Sequence, residues 1–479
     1  MRGFQTFNPQ LNDFNPIRYY SSNQEEVELA LEKSQKAFLN YSKTSPTLRN
    51  ELLLQIAQEL ETAKSIIESF YCDESGLSKV RFELEFTRTI FQLNSFSDFL
   101  LNDWKKLEIF TPSNQNSPSL RKTQLGIGPV LVLGSSNFPL AYSTIGGDSV
   151  AALAAGCSLI VKSHPMHVGT SLEVSKCILS AIRKLNLDEG IFQHLIDDGI
   201  ELATQLVKDE RIKAVGFTGS IKGGRALMDL ASQLKTPIPV FAEMGSANPV
   251  VFLREGFEDK IDHYSKLFAQ SICNDAGQFC TKPGLFFIPK SEKGNELGTK
   301  LIEEVIEHSC FYMLHPSIQN KFELLKKERA SLVSNLLIEK KGQLEPMQGR
   351  QALLQVDALE FLKHNQLQEE VFGPFALIIL YEGNDELKTC LEILEGQLTG
   401  SIVGDSNKST DFEDLIDLLS TKVGRLILNG IPTGVLVDEA MNHGGPYPAS
   451  SDSRFTAVGT QSITRFLRNV TFQNFDEYS

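Results

Sequence analysis

Short apolar segments alternate with helical segments between residues 128 and 245, and this alternation constrains the fold more than any other feature. The strand-like segments are PVLVLG, SLIVK, KAVGFTG and PIPVFAEMG, and helix-like stretches near residues 151–155 and 170–185 separate them. Strands that alternate with helices build βαβ units, in which helices cover both faces of a parallel sheet. The region therefore predicts a doubly wound α/β domain.

The length of the chain requires a second domain. At 479 residues it exceeds the size at which a single hydrophobic core usually stops growing. After Asn248 the alternation of helices and short strands resumes, with helices predicted near residues 264–275, 317–334 and 411–419. This second pattern predicts another α/β domain.

The first hundred residues are predicted to be helical. Ser22 and Glu25 have the spacing of a capping box, in which each side chain accepts from the backbone N–H of the other residue. Ser45 and Pro46 begin a segment with leucines at helical spacing. We expect a layer of helices ahead of the first α/β region.

Two strand-like segments outside the α/β regions predict an exposed arm. Residues 120–125 alternate in polarity, and the segment NVTFQNF near the end of the chain has a similar character. The stretch 443–454 is predicted to be an ordered loop, followed by a short helix at 461–467. We expect the two strands to pair, and an exposed strand edge invites pairing between subunits.

Charge and cysteine content exclude several classes of protein. The 60 acidic and 46 basic residues give a formal net charge of −14, which disfavours nucleic acid and anionic membranes as partners. Seven cysteines without a CxxC pair or a histidine cluster predict neither a disulfide framework nor a metal site. The N-terminus lacks the features of a secretory signal, and polar residues interrupt the apolar stretch 129–161. We therefore expect a cytoplasmic protein without a membrane span.

A glycine-rich turn provides a candidate phosphate site. The chain has no clean G-x-G-x-x-G after a strand, but Gly219, Ser220, Gly223 and Gly224 follow the strand KAVGF and open a helix. Backbone N–H groups at such a helix N-terminus bind phosphate. An ordinary strand-to-helix turn is the alternative explanation.

Four other side chains lie where chemistry is possible. They are Cys280, in a loop after a helix predicted to end near Ala276; Glu243, at the end of PIPVFAEMG; Asn137, in the turn GSSNFP; and Lys162, at the end of SLIVK. Taken singly, each has an ordinary explanation: an inert thiol, a paired carboxylate, an Asx turn and an exposed strand end. They can equally be a nucleophile, a base, an oxyanion donor and a cofactor contact.

The order of the motifs that carry these residues distinguishes the two possibilities. The segments SSNFP, VKSHP, GFTGS, AEMGSANP, GQFC and EEVFGPF follow one another between residues 128 and 374. In this order the chain resembles the aldehyde dehydrogenase superfamily. The segments GPVLVLGSSNFPLAYSTIGGDS, GQFCTKPG and HGGPYPASSDSRFTAVGT resemble in particular its 2,5-dioxovalerate (α-ketoglutarate semialdehyde) dehydrogenase branch.

The resemblance implies an α/β architecture with three parts. They are a doubly wound, Rossmann-type cofactor-binding domain (1–107 and 127–245), an α/β catalytic domain (246–442) and a small β oligomerisation arm (108–126 and 466–479).

The resemblance also implies the oxidation of an aldehyde through a covalent intermediate. The Cys280 thiolate would attack the aldehyde, and the Asn137 amide would help to hold the oxyanion of the thiohemiacetal. Hydride transfer to the nicotinamide would leave a thioester, which water activated by Glu243 would hydrolyse. The implied cofactor residues are Lys162 at a ribose with His164 as a further positive group, Gly219, Ser220 and Gly224 near the pyrophosphate, Gly245, Glu370 at the nicotinamide ribose and Phe372 beside its ring.

The sequence departs from the family pattern at the adenosine ribose. Most NAD-preferring members carry a Glu three residues beyond the lysine, where this chain has Pro165. A carboxylate there would repel the 2′-phosphate of NADP, so its absence permits NADP. The following loop, DDGIELAT, offers no arginine to bind that phosphate. The sequence allows either NADP or NAD and leans towards NADP.

The branch implies 2,5-dioxopentanoate as the substrate and 2-oxoglutarate as the product. Arg88, Thr281 and the PTGV loop at Pro432 are candidates for binding its distal end. A medium- or long-chain fatty aldehyde is the alternative, because Phe279 predicts an apolar wall beside the nucleophile. A CoA-acylating enzyme and a catalytically dead scaffold are further alternatives. The retained Glu243 argues against the first, and the complete set of site residues argues against the second.

Overall fold

The computed structural model describes residues 3–113, 115, 117–333, 337–405 and 412–475. The predicted helix ends at Ser334 and Asp411 and the last residues of the predicted arm, 476–479, lie outside the described residues. None of the helices in the described ranges is long and apolar enough to cross a membrane.

The chain begins with a β-hairpin, so the prediction of a wholly helical first hundred residues is wrong for this segment. Strand β1 (Gly3–Asn8) pairs antiparallel with β2 (Asp13–Tyr20). Asn12 adopts a φ of 52° between them, a conformation that Asn tolerates. The Asn8 side chain accepts from the backbone N–H groups of Gln10 and Leu11, which stabilises the turn. Such polar turn residues compete with helix formation.

Three helices follow the hairpin: α1 (Gln24–Tyr41), α2 (Pro46–Ser75) and α3 (Lys79–Asn102). The capping box of α1 uses Asn23 and Glu26, one residue beyond the predicted pair. The Ser22 hydroxyl instead accepts from the backbone N–H of Ile196. Ser45 caps α2 through the N–H of Leu48, as predicted, and Pro46 occupies the first turn.

A five-stranded parallel sheet confirms the doubly wound prediction. Its strands are β5 (Val130–Leu133), β6 (Leu159–Lys162), β7 (Phe192–Leu195), β8 (Ala214–Thr218) and β9 (Val240–Glu243), in the order β7-β6-β5-β8-β9. The helices between them are α4 (Gly147–Ala154), α5 (Val168–Lys184), α6 (Glu201–Lys208) and α7 (Ile221–Ser232). The strand order reverses at β5, and ligands bind α/β sheets in the crevice at such a switch point. Gly134 and Gly219 therefore lie where a ligand is expected.

A seven-stranded sheet forms the second α/β unit, which confirms that prediction. Its strands are β10 (Pro249–Phe252), β11 (Leu285–Pro289), β12 (Ile338–Glu339), β13 (Ala352–Asp357), β14 (Phe375–Tyr381), β15 (Gln397–Val403) and β16 (Val423–Leu428). All pairs are parallel except β12 with β13. The helices are α8 (Ile261–Cys273), α9 (Glu292–Glu307), α10 (Pro316–Ser331), α11 (Ala358–Phe361), α12 (Asn384–Glu392) and α13 (Glu413–Ser420). Residues 244–248 connect β9 directly to β10, so the first sheet ends where the second begins.

The predicted pairing of the two outer strands is also confirmed. Strand β4 (Leu120–Gly126) pairs antiparallel with both β3 (Ile109–Thr111) and the terminal β17 (Leu467–Gln473). The short helix before β17 is a 3-10 helix, Thr460–Phe466. Buried side chains of this helix, Ile463 and Phe466, pack into the same core as α2 to α5. The three-stranded sheet is thereby anchored to the first α/β unit.

Candidate active site

One cavity of about 570 Å³ brings together all but two of the site residues predicted from the sequence. It runs between the two sheets. The predicted residues that line it are Asn137, His164, Gly219, Ser220, Glu243, Gly245, Cys280, Glu370 and Phe372. Lys162 and Gly224 are not among the lining residues.

A tight turn and one buried asparagine position Cys280. Helix α8 ends at Cys273, three residues before the predicted end, because Asp275, Ala276 and Gly277 adopt φ values of 46°, 55° and 63°. The Asn248 side-chain amide then donates to the backbone oxygens of Cys280 at 2.8 Å and of Lys282 at 2.9 Å. The loop that carries the predicted nucleophile, residues 274–284 (the nucleophile loop), is therefore held by its backbone. The Cys280 side chain, half-buried, is left facing the cavity.

The surroundings of Cys280 favour the protonated thiol. Burial, followed by the charges of Glu243 and Glu370, raises the pKa of Cys280 to about 12, and Arg88 and a hydrogen bond from the backbone N–H of Cys280 itself oppose the shift. His443 Nε2 lies 3.7 Å from the Cys280 Sγ. Burial and nearby arginines lower the pKa of His443 to about 3, so this imidazole is uncharged at neutral pH. Formation of the thiolate therefore requires a base.

Asn137 lies in the turn after β5, next to the nucleophile loop. Its side-chain amide donates to the backbone oxygen of Gln278 at 2.8 Å. An amide nitrogen carries two hydrogens, so a second donor is left for a reacting oxygen. The buried carboxylate of Glu85 fixes the same turn, because it accepts from the N–H groups of Leu140 and Ala141 at 2.8 and 2.9 Å.

Glu243 ends β9 and is 8% exposed. Its Oε2 is buried and accepts no hydrogen bond from a described residue. Burial raises the pKa of Glu243 well above its usual range, Arg465 opposes this shift, and Asp148 adds to it. A carboxylate with a raised pKa is a stronger base, which suits it to abstract a proton near neutral pH.

The glycine-rich turn after β8 forms the other end of the cavity. The Gly219 N–H donates to the Glu243 backbone oxygen at 3.0 Å, which joins this turn to the end of β9. Ser220 caps α7 through the N–H of Gly223. A side chain at Gly224 would collide with Met244, so this glycine allows α7 to pack closely on the sheet. The lining glycines and the N-terminus of α7 fit a phosphate group.

Glu370 and Phe372 line the cavity from the segment before β14. A side chain at Gly245 would collide with the Glu370 carboxylate, so that glycine leaves space for the carboxylate. Lys282, which the sequence analysis did not single out, is buried, and its ammonium donates to the backbone oxygens of Phe375 at 2.7 Å and Val371 at 3.3 Å. Burial raises the pKa of Glu370 and lowers the pKa of Lys282, while the opposite charges partly offset both shifts.

Lys162 and His164 lie at the carboxyl end of β6. The Lys162 ammonium donates to the backbone oxygen of Asp197 at 2.9 Å. Burial lowers the pKa of His164 well below its usual range, and its ring stacks on His167 with centroids 5.3 Å apart. This shift favours the neutral form of the His164 imidazole, so Lys162 carries the positive charge at this end of the cavity. His164, the Gly219 turn and Glu370 line one cavity, and Lys162 lies beside it at the carboxyl end of β6, so the arrangement fits a dinucleotide.

The remaining sequence candidates differ in their access to the cavity. Phe279 packs against Phe138 with ring centroids 5.8 Å apart, and Phe138 is the ring of this pair that lines the cavity. Thr281 is 2% exposed, so it faces the core instead of the cavity. Arg88 donates to the Tyr142 hydroxyl at 3.1 Å, and Tyr142 lines the cavity beside His443.

Sequence reasoning missed several residues that support the site. Arg81 forms ion pairs with Asp275 at 2.9 Å and Glu85 at 3.3 Å, and its guanidinium lies 4.5 Å from the centre of the Phe138 ring. Arg81 thus links the Asn137 turn to the nucleophile loop. His443 arrives from a loop far along the chain, and no local pattern around it indicated a contact with Cys280.

Comparison with known proteins decides what kind of site this is. The aldehyde dehydrogenase family model matches residues 2–308. The chain is also 39% identical over 476 residues to the alpha-ketoglutaric semialdehyde dehydrogenase of Acinetobacter baylyi, covering 96% of this chain and 89% of that protein. The chain belongs to the aldehyde dehydrogenase family. This aldehyde dehydrogenase is 37% identical to alpha-ketoglutaric semialdehyde dehydrogenase 2 of Azospirillum brasilense over 95% of its own length and 88% of the relative.

Solved structures confirm the aldehyde dehydrogenase fold. The glyceraldehyde-3-phosphate dehydrogenase of Methanocaldococcus jannaschii complexed with NADP matches with a TM-score of 0.83 and 17% identity over 98% of each chain. A 1-pyrroline-5-carboxylate dehydrogenase from Thermus with bound NAD matches with a TM-score of 0.84 and 18% identity, over 98% of this chain and 90% of the other. Family and fold together make this protein an NAD(P)-dependent oxidoreductase that acts on small-molecule aldehydes.

Proposed function

We propose that this aldehyde dehydrogenase oxidises α-ketoglutarate semialdehyde (2,5-dioxopentanoate) to 2-oxoglutarate. The two relatives that match nearly the whole chain at 37% and 39% identity both carry the name of that activity. The observation that supports the chemistry is the placement of Cys280, Glu243 and Asn137 on one cavity with the glycine-lined channel. A medium- or long-chain fatty aldehyde remains the second candidate, because the apolar ring of Phe138 lines the cavity.

Cys280 acts as the nucleophile. Its Sγ bonds to the aldehyde carbon, and the thiol proton passes to the Glu243 carboxylate. The carbonyl oxygen becomes an oxyanion, which accepts from the Asn137 amide and the Cys280 backbone N–H. A bound nicotinamide supplies the acceptor for the hydride that leaves this carbon, so that a thioester remains on Cys280.

Glu243 then acts as the base of hydrolysis. After the first proton has been released to solvent, the carboxylate takes a proton from a water molecule, whose oxygen attacks the thioester carbon. The C–S bond breaks, the acid product leaves, and Cys280 returns to its initial state. This role for Glu243 favours transfer to water over transfer to coenzyme A. The presence of every chemical group that the reaction needs argues against a dead scaffold.

Different residues of the channel are assigned to different parts of NAD or NADP. Gly219 and Ser220 present the N-terminus of α7 to the pyrophosphate, and Gly224 keeps that helix close to the sheet. Gly245 leaves room for the Glu370 carboxylate, which would accept from the ribose hydroxyls of a bound nicotinamide nucleotide. The remaining assignments are Phe372 beside the nicotinamide ring, and Lys162 with the neutral His164 at the adenosine ribose.

The division into domains and the assembly belong to the same proposal. Separate sheets support a cofactor-binding domain at 1–107 and 127–245 and a catalytic domain at 246–442. The arm at 108–126 and 466–479 exposes Ile109 and Phe110, which supports pairing into a homodimer or homotetramer. All seven cysteines are free thiols, which supports a reducing compartment such as the cytoplasm.

An aldehyde panel tests the proposed substrate. Formation of NADH or NADPH is followed by absorbance with α-ketoglutarate semialdehyde, glutarate semialdehyde and decanal, and Cys280→Ser serves as the inactive control. We expect the highest kcat/KM for α-ketoglutarate semialdehyde. A preference for decanal would replace the proposal with the fatty aldehyde. A CoA thioester formed when coenzyme A is added would indicate the acylating alternative.

A further inference from the structure

Two arginines from different parts of the fold flank one loop beside the cavity. Arg88 lies on α3, and its Nε donates to the backbone oxygen of Val435 at 3.4 Å. Arg425 lies on β16, and its Nη1 donates to the backbone oxygen of Gly434 at 3.1 Å. Arg425 also binds the backbone oxygen of Pro432. Because both arginines donate to backbone oxygens of residues 432–435, the two guanidinium groups are held beside this one loop.

The two guanidinium groups are connected to the Cys280 thiol through Tyr142 and His443. Arg88 contacts Tyr142, whose ring centre lies 5.9 Å from that of His443, and His443 in turn contacts Cys280. Both guanidinium groups lower the pKa of His443, and each interacts electrostatically with Cys280. The two positive charges therefore act on Cys280 and His443 in the cavity wall, and the guanidinium groups themselves lie behind the residues that line the cavity.

Neither arginine has an acidic partner among the described residues. Several other buried or half-buried arginines do: Arg81 pairs with Asp275, Arg465 with Asp148, and Arg329 with Glu369. Arg49 resembles Arg88 and Arg425, because its guanidinium donates to the backbone oxygen of Ala154. The neutral oxygens that Arg88 and Arg425 contact leave their charge uncompensated. Arg88 Nη1 is buried and has no hydrogen-bond partner in the described part of the chain. In a protein of net charge −14, such a pair is an unusual concentration of positive charge.

Partly desolvated guanidinium groups bind carboxylates strongly, because their planar donors match the two oxygens. An apolar chain at the same place would remove water from both charges without replacing its hydrogen bonds, which is unfavourable. We propose that Arg88 and Arg425 form a carboxylate-binding subsite that holds the distal end of an anionic aldehyde substrate. The subsite rests on the proposed function, and it selects ω-oxo acids over unsubstituted aldehydes of equal length.

Paired substrates isolate the effect of the carboxylate. Glutarate semialdehyde and pentanal have the same number of carbons, and only the former carries a carboxylate. For Arg88→Gln and Arg425→Gln we expect the ratio of kcat/KM for glutarate semialdehyde to that for pentanal to fall about 10- to 100-fold, mainly through KM. Arg454→Gln, an exposed arginine paired with Asp452, is the matched control. Equal losses on both substrates, or no loss, would overturn the subsite.

Alkylation of Cys280 gives a second test that needs neither cofactor nor turnover. Iodoacetate and iodoacetamide differ in charge and little in size. We expect the alkylation rate of iodoacetate, divided by that of iodoacetamide, to fall about tenfold in each arginine variant. The same ratio should remain unchanged in Arg454→Gln. Thermal melting of each variant shows whether it is folded. An unchanged ratio in folded variants would contradict the subsite.

The two hypotheses fail differently. If the wild type prefers decanal or pentanal to both semialdehydes, the proposed function is wrong. If the wild type prefers the semialdehydes but the arginine variants keep their selectivity, the function stands and the subsite is wrong.

Discussion

The imidazole Nε2 of His443 lies 3.7 Å from the Sγ of Cys280. Because the pKa of His443 is lowered to about 3 and that of Cys280 is raised to about 12, the resting pair is a thiol beside a neutral imidazole. In this pair the histidine offers a hydrogen bond and no charge. The activation of Cys280 therefore depends on the carboxylates and arginines around it.

The charge of Glu243 predicts how the reactivity of the Cys280 thiol depends on pH. The carboxylate raises the thiol pKa, so Glu243→Gln lowers it and increases the thiolate fraction at a given pH. In the wild type we expect the rate of alkylation by iodoacetamide to rise without a plateau from about pH 6 to about pH 10. In Glu243→Gln the rate at about pH 9 should be several-fold higher. Glu307→Gln, on the surface of α9, should match the wild type, and a slower Glu243→Gln would contradict the prediction.

Two variants distinguish the oxidation of the aldehyde to a thioester from the hydrolysis of that thioester. Cys280→Ser removes the nucleophile of both steps, so we expect activity to fall by about 10⁴-fold or more. Glu243→Gln leaves the nucleophile but removes the base of hydrolysis. Because Glu243 also takes the thiol proton in the first step, we expect a slowed burst of one equivalent of reduced cofactor, followed by still slower turnover, both measured by stopped-flow absorbance. Normal steady-state activity in either variant would reject the assigned roles.

The acidic surroundings of Lys162 predict a preference for NAD, against the lean towards NADP taken from the sequence. Asp197, Asp198 and Glu201 all act on the Lys162 ammonium, so three carboxylates surround one cation. The 2′-phosphate of NADP would add negative charge there.

Calorimetric titration measures this preference without turnover. We expect NADP to bind at least about tenfold more weakly than NAD. In Glu201→Gln the ratio of the two dissociation constants should be smaller. Lys208→Gln, at the other end of α6, serves as the control. Tighter binding of NADP than of NAD by the wild type would contradict this prediction and support the preference for NADP that the sequence indicated.

The features that the sequence predicted correctly are those with local signals. Periodicity identified the two α/β regions and the pairing of β4 with β17, and the ordered motifs identified the aldehyde dehydrogenase family. The roles that these motifs give to Cys280, Glu243 and Asn137 stay predictions. The hairpin at Gly3–Tyr20 was missed, because its turn depends on Asn8 and Asn12 rather than on a glycine pair. The contacts of His443 with Cys280 and of Arg81 with Asp275 join residues distant in sequence, so no local pattern could predict them.

The neutral state of His164 was also beyond sequence analysis. A histidine beside a lysine at a strand end has the pattern of a positively charged site. The structure buries this ring against His167, and desolvation lowers its pKa well below neutrality. The charge of a titratable group depends on burial, which a short motif does not encode.

Asn248 gives a final prediction, which links stability to catalysis. It adopts a φ of 50°, and its side-chain oxygen accepts from the N–H and hydroxyl of Thr399 at 3.2 and 2.8 Å while its amide holds the backbone oxygens of Cys280 and Lys282. Asn248→Asp keeps the size and tolerates the backbone, but a carboxylate cannot donate to the two carbonyls. Two buried acceptors would lose their donor and face a negative charge.

We expect Asn248→Asp to lower the free energy of unfolding by about 2–4 kcal/mol, measured by denaturant titration. In the fraction that remains folded, kcat should fall more than KM rises, because the displaced loop misplaces the Cys280 Sγ rather than the substrate subsite. Asn186→Asp makes the same chemical change at a φ of 53° on an exposed turn, so it should alter neither stability nor kcat. If Asn248→Asp melts at a lower temperature but keeps the wild-type kcat, Asn248 stabilises the fold without positioning the nucleophile.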